Sequence, residues 1–236
     1  MRSLEIALIG CGKMGTLIKN LAEAKGHRVV VIVNESHAGL GAEQLAETIG
    51  VADVAIDFSS AEAVSRNVEA CLASGVPLVE GTTGWNDERP AIEAAVANAS
   101  GAMVFGANFS IGVNLFYKVA ERASELFARF PDYETFIEEQ HHSRKKDAPS
   151  GTALKIKEVL EQYVDVPSVS ATRAGSIPGT HRVGFDGTAD QILLEHTARS
   201  REGFASGALL ATEWIIGKKG YFEFGDVIDE VISSGR

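Results

Sequence analysis

The chain has 236 residues, of which 45% are hydrophobic and 23% are charged, a balance typical of folded globular proteins rather than disordered ones. A formal net charge of −10 argues against general binding to nucleic acid, because a phosphate backbone needs a broad basic surface. The 2 cysteines are too few for a disulfide scaffold or a cysteine-based zinc site.

The N-terminus runs directly into a strand-like segment, and no apolar run approaches the length that spans a membrane. This beginning leaves no room for a signal peptide. We therefore expect a cytoplasmic protein with no membrane partner.

The N-terminal half alternates between short apolar runs and segments with helical spacing of apolar residues. Strands are predicted at residues 5–9, 28–33, 54–58, 76–80 and 103–105, and helices at residues 16–25, 61–73 and 87–99. This alternation predicts a doubly wound parallel sheet of the Rossmann type.

The pattern changes after residue 110. Helices are predicted at residues 111–130, 152–162 and 204–216, a half-buried strand at 133–140, and antiparallel strands at 168–173, 182–185 and 191–198. We therefore predict a dinucleotide-binding domain over residues 1–110, joined by a C-terminal return over about 205–236. Residues 111–204 form a second, α+β domain with a mixed or antiparallel sheet.

A glycine motif, Gly10-x-Gly12-x-x-Gly15, lies between the first strand and the first helix. The first glycine permits a tight turn, the second lets a pyrophosphate approach the backbone, and the third allows helix and strand to pack closely. The motif predicts a dinucleotide cofactor, and the alternative is a purely structural turn. Asn34, at the tip of the second strand, can bind a ribose hydroxyl without repelling a 2′-phosphate, and Lys13 can pair with that phosphate, so the choice between NAD and NADP stays open.

Two polar segments follow the third and fourth predicted strands. They are Asp57-Phe58-Ser59-Ser60 and Gly81-Thr82-Thr83-Gly84. The carboxyl ends of parallel strands form the rim where open α/β sheets bind ligands. Helix capping is the favoured interpretation for Ser59 and Ser60, whereas Thr82 and Thr83 precede no immediate helix start and are candidates for cofactor contact.

A basic segment, His141-His142-Ser143-Arg144-Lys145-Lys146, precedes a Ser150-Gly151-Thr152 that opens a helix. The N–H groups of a helix start attract anions, nearby cations reinforce that field, and a histidine can deliver a proton near neutral pH. The segment predicts a site that holds a carboxylate-bearing molecule and protonates it. The alternatives are a solvated basic loop and, for Ser150 and Thr152, helix capping alone.

Neighbouring residues of a strand point to opposite faces, so only one of His141 and His142 is expected to reach the chemistry directly. Lys145 is the best candidate for a functional cation, and Arg144 and Lys146 are expected to be solvated. No metal site is expected, because these cations oppose a bound metal ion.

These motifs together resemble the dihydrodipicolinate reductase family, over essentially the whole chain. The most specific match is His141-His142-x-x-Lys145-x-Asp147-Ala148-Pro149-Ser150-Gly151-Thr152-Ala153. Further matches are Gly12-Lys13-Met14-Gly15, Ile56-Asp57-Phe58-Ser59, Gly81-Thr82-Thr83-Gly84, Asn108-Phe109-Ser110-Ile111-Gly112-Val113-Asn114, Gly175-x-Ile177-Pro178-Gly179-x-His181 and Ser200-Arg201-x-x-Phe204-Ala205-x-Gly207-Ala208.

The resemblance implies roles for particular residues. His141 is implied to be the general acid, Lys145 to give acid or electrostatic help, and His142, Ser150, Gly151 and Thr152 to hold the substrate's carboxylates. With Asn34, Asp57 and Phe58 from the strand ends, the expected cofactor contacts are Gly10, Cys11, Gly12, Lys13, Met14, Gly15, Gly81, Thr82, Thr83, Ala107, Asn108, Phe109 and Ser110.

The resemblance also implies NADH or NADPH as hydride donor and a homotetramer built through the second domain. We therefore expect reduction of a cyclic imine dicarboxylate to tetrahydrodipicolinate, on the diaminopimelate route to lysine. One alternative is another two-domain NAD(P) oxidoreductase, such as a dehydrogenase of aspartate. The other is a nucleotide-sensing protein without catalysis, which the intact His141, Lys145 and Ser-Gly-Thr set argues against.

Overall fold

The computed structural model describes residues 2–166 and 168–235. The chain divides into two compact units. The first unit contains the residues up to Ile111 together with those from Phe204 onward, and the second unit is Gly112–Gly203.

The first unit is built on a six-stranded parallel sheet in the order β10-β5-β4-β3-β1-β2. Its strands are β1 (Glu5–Ile9), β2 (Arg28–Val33), β3 (Val54–Asp57), β4 (Leu78–Glu80), β5 (Ala102–Phe105) and β10 (Gly220–Glu223). Its helices are α1 (Lys13–Ala24), α2 (Ala42–Ile49), α3 (Val64–Ser74), α4 (Arg89–Asn98), α7 (Glu202–Trp214) and α8 (Phe224–Ser233).

Both faces of this sheet are covered by apolar helix surfaces. Ile6 and Leu8 point to the face that packs against α1, α7 and α8, and Ala7 and Ile9 point to the face that packs against α2, α3 and α4. Strands buried on both sides read as continuous apolar runs, which explains why they were visible in the sequence. The doubly wound parallel sheet that the sequence predicts is confirmed.

The second unit carries a four-stranded mixed sheet in the order β7-β6-β8-β9. Its elements are α5 (Ile111–Phe127), which begins at the boundary between the units, β6 (Glu134–His141), α6 (Gly151–Leu160), β7 (Val169–Arg173), β8 (Thr180–Asp186) and β9 (Gln191–Thr197). One face of the sheet, including Ile137, Val183 and Phe185, packs against Phe116 of α5 and Ile156 of α6.

One predicted strand direction was wrong. Residues 168–173 were expected to form an antiparallel strand, but β7 pairs with β6 in parallel. The reason is that α6 lies between β6 and β7 in the chain. This crossover helix returns the chain to the end of the sheet where β6 began, so that β7 runs in the same direction as β6. The antiparallel pairings of β8 with β6 and with β9 are present.

Three elements were not predicted from the sequence, namely α2, β10 and α8. A four-residue strand such as β10 carries little periodicity, and the eight-residue α2 follows a glycine-rich segment that obscures its start. Among the described helices, none combines the length and apolarity needed to cross a membrane.

Candidate active site

The glycine motif of the first unit forms a tight turn between β1 and α1. Gly10 has a φ of +85°, and a Cβ on it would lie 2.6 Å from the carbonyl oxygen of Phe58. A Cβ on Gly15 would lie 2.1 Å from the carbonyl oxygen of Gly10, whereas a Cβ on Gly12 would meet nothing within 4 Å. The turn therefore needs Gly10 and Gly15 for its own packing, and leaves open space at Gly12.

The N-terminus of α1 is available to an anion. Gly12 is the N-cap residue, and no side chain caps the helix. The turn borders an open cleft of about 810 Å³ at the carboxyl ends of the strands. Residues lining this cleft include Gly10, Cys11, Gly12, Asn34, Ser36, Phe58, Ser59 and Arg66.

Asn34 stands at the tip of β2, where its side chain is already engaged. Its Oδ1 accepts hydrogen bonds from Ser36 N at 3.1 Å and Ser36 Oγ at 2.8 Å, which caps a short 3-10 turn. Arg66 of α3, which the sequence did not single out, donates to the carbonyl oxygen of Ala38 at 3.1 Å and fastens the segment after this turn. Arg66 is a single cation in a segment with helical spacing, so no sequence motif marked it as a functional residue.

The segments after β3 and β4 meet at the rim. Asp57 is fully buried and accepts hydrogen bonds from Ser59 N at 2.8 Å and from Asn67 Nδ2 at 2.6 Å. Thr82 Oγ1 accepts a hydrogen bond from Ser59 N at 3.0 Å. The carboxylate of Asp57 therefore holds the loops, and Ser60 occupies an N-cap position without the side-chain bond expected of it.

The remaining expected cofactor contacts gather nearby in the first unit. The rings of Phe58 and Phe109 lie 5.9 Å apart, and a Cβ on Gly81 would collide with the Phe58 ring at 2.2 Å. Asn108 Oδ1 accepts a hydrogen bond from Ser110 N at 2.9 Å. Thr83 and Ala107 are exposed.

In the second unit, the register of the mixed sheet brings four polar side chains to one face. Glu139 on β6 pairs with His181 on β8, and His141 on β6 pairs with Arg173 on β7. Since alternate residues of a strand share a face, Glu139 and His141 lie on the same side as the buried Ile137. This is the face that packs against α6.

Glu139 is the centre of this group, and its carboxylate is inaccessible to water. Oε1 accepts hydrogen bonds from Ser150 N at 2.9 Å and from Arg173 Nη2 at 2.6 Å. Burial opposes ionisation, but the bonds from Ser150 and Arg173 outweigh it and lower the pKa of Glu139 below its usual range. Glu139 is therefore an anion at neutral pH.

His141 lies beside this anion. Its Nδ1 is 3.3 Å from Glu139 Oε2, within ion-pair distance though not aligned as a hydrogen bond. Burial, with help from the charges of Lys145 and Arg173, lowers the pKa of His141, and the charge of Glu139 opposes that shift. The imidazole is neutral in the free protein at pH 7.

His181 completes the cluster from β8. Its Nε2 lies 3.2 Å from Ser150 Oγ and 3.6 Å from Glu139 Oε2. Burial and the neighbouring His141 lower the pKa of His181 to about 4. Its role is therefore that of a neutral hydrogen-bonding group that ties Ser150 to the sheet.

Ser150 caps α6, as the capping alternative anticipated, because its Oγ accepts a hydrogen bond from Ala153 N at 3.2 Å. A Cβ on Gly151 would meet nothing within 4 Å, so space remains above the helix start. Thr152 is hydrogen-bonded to Tyr117, whose pKa burial raises to about 12. The helix start thus keeps room for an anion at Gly151.

The basic loop separates into half-buried and exposed cations. Lys145 is half-buried and its Nζ lies 2.9 Å from Asp147 Oδ1, whereas Arg144 and Lys146 are exposed, as expected. His142 is half-buried just beyond the end of β6, and its Nδ1 has no hydrogen-bond partner among the described residues.

Glu139, His141 and His181 also offer ligand atoms that lie within 4.8 Å of one another. This spacing suits a metal ion, and neutral imidazoles are its usual ligands. Arg173, however, already bonds Glu139, and its charge opposes a second cation at the same carboxylate. The arrangement therefore favours an anionic ligand over a metal.

Sequence reasoning missed Glu139, Arg173 and His181 as parts of this cluster. Glu139 precedes His141 by two residues on a predicted strand, which places them on one face and was a usable signal. Arg173 and His181 reach the cluster only through the register of β7 and β8, which the sequence does not reveal.

Comparison with known proteins finds one family over both units. The family model for the N-terminus of dihydrodipicolinate reductase matches residues 4–109, and the model for its C-terminus matches residues 112–228. A 4-hydroxy-tetrahydrodipicolinate reductase of Christiangramia forsetii is 33% identical, over 98% of this chain and 100% of the relative. One of Archaeoglobus fulgidus is 34% identical, over 96% of this chain and 100% of the relative.

A solved structure of dipicolinate-bound dihydrodipicolinate reductase from Paenisporosarcina sp. TG-14 has the same fold. Its TM-score is 0.78 at 23% identity, and the match covers 94% of this chain and 98% of that one. A probable dehydrogenase from Thermotoga maritima shares the fold with a TM-score of 0.58 at 12% identity, over 99% of this chain and 98% of that one.

Proposed function

Because the chain belongs to the dihydrodipicolinate reductase family, we propose that it reduces the cyclic imine dicarboxylate of that family to tetrahydrodipicolinate, with NADH or NADPH. The observation that carries the proposal is the second unit's pairing of a helix start open to an anion with a histidine held beside a buried carboxylate. The reaction belongs to lysine and diaminopimelate biosynthesis.

The substrate's carboxylates bind at the start of α6. The backbone N–H groups of Gly151 and Thr152 point out of the helix end, and the helix dipole adds partial positive charge there. The Oγ of Ser150 is occupied by capping, so we assign its contribution to shaping the turn rather than to the first contact. A dihydrodipicolinate reductase of the same fold was solved with dipicolinate, a pyridine dicarboxylate, bound.

His141 delivers the proton. Glu139 faces Nδ1, so the other ring nitrogen, Nε2, is the one left for the substrate. The imidazole is neutral before binding, and the arrival of two carboxylates raises its affinity for a proton, because nearby negative charge favours the imidazolium. Substrate binding thereby charges the acid at the moment it is needed.

Lys145 and His142 give electrostatic support. Lys145 is held at the edge of the site by Asp147, and its ammonium group lies on the segment that leads into the α6 start. We propose that a substrate carboxylate competes with Asp147 for Lys145, and that His142 contacts a second polar group of the substrate.

The first unit holds the cofactor. When bound, NADH or NADPH supplies the hydride that reduces the double bond. The uncapped start of α1 receives the pyrophosphate at Gly12, and Ser36 and Arg66 line the end of the cleft near Asn34. Phe58 also lines the cleft, and its ring packs against Phe109 and Gly81.

A homotetramer assembled through the second unit is part of the proposal. Both helices of this unit pack on one face of its sheet, and the other face carries Leu193, which is 47% exposed, beside the ion pair of Arg182 with Glu195. Such a face is suited to sheet-on-sheet packing between copies. The cytoplasmic location expected from the sequence stays a prediction.

The test measures the oxidation of NADH and of NADPH by the wild type and by His141→Gln. The substrate is the condensation product of pyruvate and aspartate semialdehyde. We expect turnover by the wild type and a kcat lower by about 10² to 10⁴ in the variant, because a positioned general acid contributes that much. KM is expected to change far less, since the carboxylate contacts remain. Equal turnover of the two proteins would contradict the role of His141.

Adjacent lysines give a matched control in the same assay. Lys145→Ala is expected to lower both kcat and substrate affinity, whereas the exposed Lys146→Ala is expected to change neither. A panel of small keto acids with ammonia tests the aspartate dehydrogenase alternative, which would oxidise NADH on oxaloacetate instead.

A further inference from the structure

Two buried carboxyl groups lie side by side at the rim of the first unit's sheet. Asp57 ends β3, Glu80 ends β4, and the parallel register pairs the two residues. Both are 0% exposed. Burial is the largest influence on the pKa of each carboxyl group.

The hydrogen bonds around the pair leave one oxygen without a donor. Asp57 receives donors on both oxygens, from Ser59 N and from Asn67 Nδ2, and Glu80 Oε1 receives Thr82 N at 2.6 Å. Glu80 Oε2 is buried and has no donor in the described part of the chain, and the charge of Asp57 acts on Glu80 from the paired position of the neighbouring strand. Two carboxylates in contact cannot both be ionised at low cost, and a proton between them removes the conflict.

Two titratable neighbours among the described residues, Cys71 and Tyr221, do not neutralise the pair. Cys71 of α3 is buried next to it, and burial together with the two carboxyl charges raises the pKa of this thiol well above its usual value. Tyr221 of β10 is also nearby, and burial raises its pKa to about 12. The guanidinium of Arg66 donates to the side-chain oxygen of Asn67 at 3.0 Å and to the carbonyl oxygen of Ala38 at 3.1 Å.

Glu80 is the better site for the proton. Burial and the charge of Asp57 raise the pKa of Glu80 well above its usual range, whereas the bonds from Ser59 and Asn67 moderate the effect of burial on Asp57. Asp57 therefore stays an acceptor for its backbone and amide donors, and Glu80 becomes a donor.

We propose that Glu80 is protonated at neutral pH, donates its proton to Asp57, and thereby positions the loop after β3, which lines the cofactor cleft, and the loop after β4, which is hydrogen-bonded to it. The inference rests on the proposed cofactor binding in this unit. Ser59 and Thr82 are the two loop residues held by the pair, and Phe58 and Ser59 line the cleft. Glu80 is a positioning residue, because it is buried and acts through Asp57 and Thr82.

The proton is tested directly by infrared difference spectroscopy at neutral pH. A protonated carboxyl group has a C=O stretching band that carboxylates lack, and the band shifts in D₂O. We expect this band in the wild type, its loss in Glu80→Gln, and its retention in Glu47→Gln, a control at an exposed glutamate of α2. Absence of the band from the wild type, or its persistence in Glu80→Gln, would overturn the proposal.

The positioning role is tested by NADH titration, followed through nicotinamide fluorescence. Glu80→Gln keeps a donor for Asp57 and an acceptor for Thr82, so its Kd should stay within about threefold of the wild type. Glu80→Ala removes the acceptor of the Thr82 amide and the proton donor proposed for Asp57, and we expect a Kd at least about fivefold higher. Equal Kd values for Glu80→Ala and wild type would refute the role.

Neither measurement uses the substrate, so the outcome is separate from that of the reductase assay. A protein that shows the infrared band but has no turnover would contradict the proposed reaction and would still support the protonation of Glu80. If Glu80→Ala does not fold, the infrared comparison and the Kd of Glu80→Gln still decide, since a Kd raised tenfold in Glu80→Gln contradicts the proposal.

Discussion

At the scale of residues, the second unit's site depends on one buried anion with several donors. Glu139 is ionised because Ser150 and Arg173 satisfy one of its oxygens, and its other oxygen is turned toward His141 and His181. Breaking a buried ion pair by removing one partner costs about 3–5 kcal/mol, because the other charge is left uncompensated. The cluster is therefore a structural part of the sheet as well as a chemical one.

His181 makes the stability of the fold depend on pH. Its pKa in the folded protein is about 4, against 6.5 for an ordinary histidine, so the unfolded chain binds the proton more tightly. The stabilisation is present above pH 6.5 and is lost as the pH falls from 6.5 to 4, by up to about 3 kcal/mol.

Urea unfolding at pH 7, 6, 5 and 4 measures this effect. The wild type is expected to lose stability steadily over that range, and His181→Gln is expected to lose less, because glutamine has no proton to gain. Parallel curves for the two proteins would show that His181 does not carry the linkage.

At the scale of elements, the turn between β1 and α1 separates packing from binding. Gly15→Ala brings a Cβ to 2.1 Å from a backbone oxygen, and such overpacking costs about 1–3 kcal/mol. Gly12→Ala meets open space at a φ of −75°, which alanine adopts readily, so its free energy of unfolding should be nearly unchanged.

The two variants are expected to affect different properties, the Tm for Gly15→Ala and NADH binding for Gly12→Ala. Gly15→Ala lowers the Tm, whereas Gly12→Ala keeps it and weakens NADH binding by about tenfold or more, since the methyl group occupies the space for the pyrophosphate. A Gly12→Ala protein that binds NADH as tightly as the wild type would place the pyrophosphate elsewhere.

Much of the first unit was predictable because buried parallel strands and glycine turns leave local signals. The apolar runs at β1, β2 and β3 and the spacing of Gly10, Gly12 and Gly15 are all visible within short windows. Register was not predictable, because it depends on which strands become neighbours. Glu80, Arg173 and His181 acquire their roles only through that pairing.

At the scale of the whole molecule, we propose that the first unit holds the cofactor and that the second unit holds the substrate. The first unit is a parallel sheet with a rim held by Asp57 and Glu80, and the second is a mixed sheet with a helix start beside His141. The family match spans both units, since the N-terminal model matches residues 4–109 and the C-terminal model matches residues 112–228.

The most direct test of the account is a crystal structure of the protein with NADH and pyridine-2,6-dicarboxylate, an unreactive planar diacid. We predict density for one carboxylate at the N–H groups of Gly151 and Thr152, with Nε2 of His141 within hydrogen-bond reach of the ligand. Density for the diacid at another surface, with the start of α6 occupied only by water, would contradict the central claim.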